Sequence, residues 1–285
     1  MIKLIEKFKE KKNRIAVISG EGNLPIQIIK ELILNNIDPI AFFPKNFNLS
    51  LPNNVKKIAF DLYNLENLIY ELKSKAVKYL IFAGKITRYN DYETSNNLKS
   101  IDLMKDYKID LQNTDDKLLR SIGNFFEKQG FEILSIQNIL PGFFLEKGVP
   151  SNRKPSTQDR KDIERAINIH NLMSEADIGQ SLVVVNGLCI GLETLPGTDA
   201  MIEFVKNFKR KNNIFKKLSG GILFKCLKNN QDVRFDFPVI GENTLLNIKR
   251  AELNGLALVK NKLITLNKDK LIKIANKLDL FISID

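Results

Sequence analysis

The segment Gln231-Asp232-Val233-Arg234-Phe235-Asp236-Phe237-Pro238 alternates polar and apolar residues. As extended chain it places Asp232, Arg234 and Asp236 on one side, because side chains at i, i+2 and i+4 share a face. Two carboxylates flanking a guanidinium can hold a divalent cation and a phosphate together, and Lys225 lies close enough in sequence to add a second cationic side chain. The plainer alternative is an exposed strand with a surface salt bridge, worth about 0–1 kcal/mol. A second acidic segment, Glu193-Thr194-Leu195-Pro196-Gly197-Thr198-Asp199-Ala200-Met201, sets two carboxylates around a Pro-Gly turn where a strand meets a helix. In the first half, Gly20-Glu21-Gly22-Asn23-Leu24-Pro25 follows a β-branched run and opens a helical pattern, the place where backbone N–H groups and the helix dipole hold a phosphate. Pro25 stands where a dinucleotide loop has its third glycine, and Ile40–Lys45 lacks the acid that an NAD site requires. A nucleotide or sugar phosphate therefore fits better than NAD, with a tight turn as the simpler account. Gly84-Lys85 ends another strand, where Lys85 or Arg88 can meet a phosphate, whereas Asp115-Asp116 read equally well as first-turn helix acids.

The rest of the composition excludes other chemistry. The single histidine, His170, rules out zinc and two-metal sites built on several imidazoles, so any metal is held by oxygen and is magnesium, calcium or manganese. His170 sits in a helical stretch, where a structural role is expected. Cys189 and Cys226 are the only cysteines and are expected to be inert strand residues without a disulfide framework. Apolar residues make up 44% of the 285, enough for a sizeable core, and no window approaches the ~18 consecutive apolar residues of a membrane span. The charged start, MIKLIEKFKEKKN, lacks the features of a signal peptide, so a cytoplasmic location is expected. The net charge of +11 is concentrated, with +4 in residues 1–14 and +6 in residues 204–218, which contain no acid. Such patches suit an anionic membrane or substrate better than nucleic acid, for which no module is evident; solvated helical faces explain them equally well.

These groups need elements to position them. Strands are expected at 14–18, 39–43, 57–60 and 77–82, alternating with helices at 24–34 and 63–76, and another helix starts at Asp115. That alternation predicts a Rossmann-like parallel sheet. From about 140 the texture changes to Pro- and Gly-rich loops, then a helix over about 157–175, strands at 181–186 and 188–193 around Asn186-Gly187, a helix after Gly197, and strands at 221–226 and 255–259. The expected fold is α/β throughout: an N-terminal Rossmann-like parallel-sheet domain over 1–140 and a C-terminal α/β catalytic domain over 141–285.

Taken in order, GEGNLP at 20–25, FAGKITR at 82–88, DD at 115–116, the stretch 154–163, DIGQSLVVVNG at 177–187, GLETLPGTDAM at 191–201 and QDVRFDFPVIG at 231–241 resemble the LpxI family of UDP-2,3-diacylglucosamine pyrophosphatases. The resemblance implies hydrolysis of that substrate to 2,3-diacylglucosamine 1-phosphate and UMP, dependence on Mg2+ (or Mn2+), and a homodimer acting at the inner-membrane surface. Within that implied chemistry, Asp232 is expected to position metal and water, with Asp199 as a further metal ligand and Asp236 in support. Lys225, Arg234, Thr198, Gly84 and Lys85 would meet substrate, and Gly20, Gly22 and Asn23 its nucleotide side. Two other readings compete: an oxidoreductase acting on a nucleotide sugar, and a basic nucleotide- or RNA-binding protein without turnover. Residues 1–12, apolar at 1, 2, 4, 5 and 8 among lysines, can form a basic amphipathic helix on a bilayer or a packed N-terminal turn.

Overall fold

β-Branched and aromatic runs bounded by turn residues supply the strands, and i, i+3, i+4 apolar patterns supply the helices that cover them. The computed structural model of the protein describes residues 8, 14–45, 47, 50–61, 64–84, 115–211, 220–229, 231–235 and 237–285. The chain forms two units, one comprising 1–141 and 232–236, the other 142–231 and 237–285.

In the first unit, β1 (Arg14–Ser19), β2 (Ile40–Pro44), β3 (Lys56–Phe60), β4 (Val77–Ala83) and the short β5 (Glu132–Ile133) form a sheet in the order 3-2-1-4-5. Every pairing is parallel, which is the order expected of a Rossmann-like sheet. Helices α1 (Leu24–Leu34), α2 (Leu65–Ser74) and α3 (Asp115–Lys128) connect it. Leu68 and Leu72 of α2 and Leu118, Phe125 and Phe126 of α3 bury one face against Ala16, Ile18, Phe42 and Leu80. The alternate residues Ile15, Val17, Tyr79 and Ile81 serve the other face, and Phe8 packs edge-on against Tyr79 with ring centroids 4.9 Å apart.

The second unit begins with a long helix, α5 (Thr157–Glu175), after the single turn α4 (Ile136–Ile139) has closed the first. Strands β6 (Ser181–Val185), β7 (Leu188–Leu192), β8 (Ile222–Lys225), β10 (Gly255–Leu258) and β12 (Phe281–Ile284) form a mixed sheet in the order 12-10-8-6-7. The three strands β8, β10 and β12 are parallel, and β6 runs antiparallel to both its neighbours. Asn186 (φ +48°) and Gly187 (φ +80°) make the expected hairpin turn, whose two N–H groups donate to Asp162 of α5 at 2.9 and 2.7 Å. Val183, Val185, Leu223, Leu256 and Ile282 point to one face, covered by α6 (Thr198–Lys211), α7 (Glu242–Arg250) and α8 (Lys268–Lys277). Leu182, Val184, Ile222 and Phe224 point to the other, covered by Ile163, Ala166 and Met173 of α5. A two-stranded parallel ladder, β9 (Val239–Ile240) with β11 (Ile264–Thr265), completes the unit.

His170 is structural, as expected: its Nε2 lies 3.1 Å from the Cys226 carbonyl, its ring meets Phe224 edge-on, and burial pushes its pKa down. Burial also pushes the Cys226 thiol up to about 11, leaving it protonated and inert at neutral pH.

Candidate active site

In the first unit the order of connection reverses between β1 and β4, and open α/β sheets bind ligands outside the carboxyl ends of strands at that point. The glycine loop sits there. Gly20 N donates to the Ala83 carbonyl at 2.7 Å, tying the end of β1 to the end of β4. Gly84, at φ +90°, passes so close that a Cβ on it would lie 2.6 Å from the Glu21 carbonyl oxygen, so only glycine fits. Gly22 also has φ positive at +99°, Asn23 is the N-cap of α1 without a side-chain capping bond, and Pro25 sits in the first turn. The structure thus brings Gly20, Gly22, Asn23 and Gly84 together at one helix start. Lys85 and Arg88 lie outside the described residues, and at Asp115 and Asp116 only the backbone, at the start of α3, is described.

The acid–base–acid segment differs from the extended strand read in the sequence. Residues 232–235 form a turn closed by Phe235 N on the Asp232 carbonyl at 3.1 Å, and Asp236 lies outside the described residues. The reason is local: Asp232 Oδ1 accepts the backbone N–H of Arg234 at 3.0 Å, the Asx geometry that competes with strand pairing. Asp232 and Arg234 of that expected trio meet directly. Arg234 Nε donates to Asp232 Oδ1 at 3.0 Å and Nη2 to Oδ2 at 2.7 Å, Arg120 of α3 approaches Oδ2 at 3.9 Å, and Arg234 Nη1 bonds Glu127. The Asp232 side chain is 9% exposed. Burial by itself would push its carboxyl up, but the hydrogen bonds from Arg234 and the charges of Arg234 and Arg120 outweigh it and hold the pKa below the usual carboxylate range.

Although flanked in sequence by the second unit, residues 232–236 are part of the first. The Phe235 ring packs on Phe82 and fills a space over α3 that exists because residue 123 is glycine: a Cβ there would lie 2.2 Å from Phe235 Cζ. Ser135 Oγ donates to the Val233 carbonyl at 3.0 Å. Asp232 therefore belongs to a different unit from Asp199 and Lys225, not to a single C-terminal catalytic domain. A Gly123→Leu variant is expected to dislodge Phe235 at a cost of about 1–3 kcal/mol. Its turnover should fall toward that of an Asp232 variant while far-UV circular dichroism is retained; wild-type turnover would show that the Phe235 seat does not set Asp232.

In the second unit, register and strand alternation build another polar group. Ser181 of β6 pairs with Lys225 of β8, so both side chains emerge together beneath the first turn of α6. Glu193, just past β7, is the hub: Oε2 accepts from Ser181 Oγ at 2.6 Å and from Gln180 N at 3.2 Å, and Oε1 accepts from Thr198 Oγ1 at 3.0 Å. The Thr198 hydroxyl has one proton and gives it to Glu193, so it accepts from Lys225 Nζ at 2.9 Å. Lys225 is 8% exposed. Gly179 lets the loop before β6 close on this group, since a Cβ there would lie 2.2 Å from the Glu193 carbonyl oxygen. Gln180 Nε2 reaches Gln231 Oε1 at 3.0 Å, which anchors the chain just before it leaves for the first unit.

The structure thus joins Thr198 with Lys225 and, separately, Asp232 with Arg234. Asp199 joins neither; exposed in the first turn of α6, it accepts from Asn247 of α7 at 2.9 Å. Sequence reasoning gave Glu193 no assigned role and overlooked Gly123, although an isolated glycine inside a helical pattern is the signal for a close packing partner. Among the described residues no three His, Cys, Asp or Glu side chains gather as a metal cage, and no helix is long and apolar enough to cross a membrane.

The class is a two-unit α/β protein, with a glycine-rich loop at the sheet reversal of the first unit and a partly buried lysine–hydroxyl–carboxylate chain in the second. Residues 14–143 match the LpxI N-terminal domain and residues 146–283 the LpxI C-terminal domain, so the chain belongs to the LpxI family. Over 211 residues, 74% of this chain and 75% of the relative, it is 28% identical to the UDP-2,3-diacylglucosamine pyrophosphatase LpxI of Caulobacter vibrioides.

Proposed function

We propose that this protein hydrolyses the pyrophosphate bond of UDP-2,3-diacylglucosamine, giving 2,3-diacylglucosamine 1-phosphate and UMP, in lipid A biosynthesis. The observation that carries the reading is the match of both LpxI domains, in order, over nearly the whole chain, together with the activity named for the Caulobacter relative.

The residues suit the chemistry. Hydrolysis forms a bond from a water oxygen to one phosphorus and breaks that phosphorus's bond to the bridging oxygen, with negative charge developing on the leaving phosphate. Asp232, ionised well below neutral pH, is a poor proton acceptor but a fixed anion suited to orienting that water or bearing a cation. Arg234 offers a guanidinium held in place by Asp232 and Glu127, whose remaining N–H groups can meet phosphate oxygens. Lys225, aligned by Thr198, offers an ammonium to a phosphate. The backbone at Gly20, Gly22, Asn23 and Gly84 suits the nucleotide phosphate.

A carboxylate oxygen is a donor suited to magnesium or manganese, and Asp232 would be the residue that holds such an ion. When bound, such an ion would neutralise charge on the phosphoryl oxygens. The test is UMP release from the purified protein and UDP-2,3-diacylglucosamine. Release is expected with Mg2+, is expected to drop by at least about 100-fold in excess EDTA, and is expected to return with Mg2+ or Mn2+. Release unaffected by EDTA would remove the metal, and a folded protein releasing no UMP would remove the reaction.

A further inference from the structure

We propose that the last two turns of α6, from Phe204 to Lys211, form the surface by which the protein rests on an anionic bilayer. The inference builds on the reading of the substrate as a diacylated sugar, which resides in a membrane, and it chooses between the two basic segments of the sequence.

The first segment loses its aromatic anchor. Phe8, the one aromatic of the 1–12 stripe, is 4% exposed against Tyr79 and so withdrawn from any bilayer. The second segment does the opposite. In α6, Met201, Ile202 and Val205 face the sheet, while Phe204 is 60% exposed and Phe208, one turn on, stacks parallel to it with centroids 6.2 Å apart. Lys211 continues that i, i+4, i+7 stripe and Arg210 flanks it; both are exposed.

The charge of the patch is also narrowed by the structure. Lys209 turns inward and donates to the carbonyls of Gly220, Ala251 and Glu252, so it serves as a buried tie, and Lys206 pairs with Glu203. Arg210 and Lys211 remain as the outward cations of the described helix, in a stretch without acid from 204 to 218. An exposed ring stacked on a half-buried one, beside long basic side chains, matches an interface in which rings enter the acyl boundary and cations meet lipid phosphates. A second copy of the chain fits less well, because two such patches would face each other with like charge. Single-stranded RNA fits less well too, since the Phe pair already uses one ring face of each partner on the other. The same helix carries Thr198 in its first turn, about 20 Å from Lys211 at 1.5 Å per residue, so a bilayer contact at one end sets the height of the lysine–threonine pair at the other.

The test uses the full chain, vesicles of phosphatidylcholine with and without phosphatidylglycerol, and two double variants, Phe204→Ser/Phe208→Ser and Arg210→Gln/Lys211→Gln. Wild type is expected to co-sediment with the anionic vesicles only. The aromatic variant should bind roughly tenfold more weakly and the charge variant roughly fivefold more weakly for each cation removed. Both should retain wild-type UMP release from substrate in non-ionic detergent micelles and lose it from substrate in vesicles. Two variants that bind vesicles as wild type does would overturn the surface while leaving the hydrolase reading intact. Binding lost in the variants with no UMP release from wild type would support the surface and remove the hydrolase reading. Binding to an RNA oligonucleotide, but not to vesicles, would overturn the bilayer in favour of nucleic acid.

Discussion

Replacing Asp232 with alanine is expected to lower UMP release by about 10²–10⁴-fold while leaving the protein folded. The loss is large because this one carboxylate holds Arg234 through two guanidinium bonds and one from its backbone N–H, and is the anion proposed to hold the attacking water or its cation. The fold cost is small because Arg234 is partly exposed and keeps Glu127. The pH dependence separates roles. Since the Asp232 pKa lies below the ordinary carboxylate range, the acid limb of the rate profile should carry no titration at the usual aspartate value. A group depressed on folding stabilises the native state fully above its unfolded pKa, and that contribution is lost as the pH falls through the folded value. Asp232→Asn should therefore flatten the acid end of the stability curve. Turnover near wild type in both variants would remove Asp232 from the site.

The second large effect is expected at Glu193. Glu193→Ala leaves the buried Ser181 hydroxyl, the Gln180 amide and the Thr198 hydroxyl without their acceptor, at about 2–4 kcal/mol, read as a lower thermal midpoint. Its effect on turnover runs through Thr198 and Lys225, so kcat/KM should fall by about 10–100-fold with most of the change in KM. Thr198→Val should reproduce the KM change with a smaller stability loss, and Thr198→Ser should restore it, because Thr198 reaches Lys225 through its hydroxyl. A purely structural Glu193 would lower the midpoint and leave KM alone.

Most of the architecture was legible because it follows from local pattern. β-Branched runs and helical periodicity placed β1 to β4 and α5, and Asn186-Gly187 placed the hairpin. The glycine loop was legible for the same reason, since a strand, two glycines and a proline in the first turn describe one local geometry. What escaped was decided by partners distant in sequence. Period-2 alternation suggested a strand at 231–237, but no neighbouring strand pairs there among the described residues, and Asp232 captures the Arg234 amide instead. That the turn belongs to the first unit depends on Phe235 meeting Gly123, more than 100 residues earlier. Glu193 acquires its role from Ser181 and Thr198 on either side of it, and Lys209, read as part of a solvated basic face, is drawn inward by three carbonyls.

Turnover in H2(18O), followed by mass spectrometry of both products, tests the central claim most directly. Hydrolysis predicts one solvent oxygen per turnover, carried either by UMP or by the acyl-sugar phosphate. Cleavage without solvent oxygen in either product, or no cleavage by the folded protein, would contradict it.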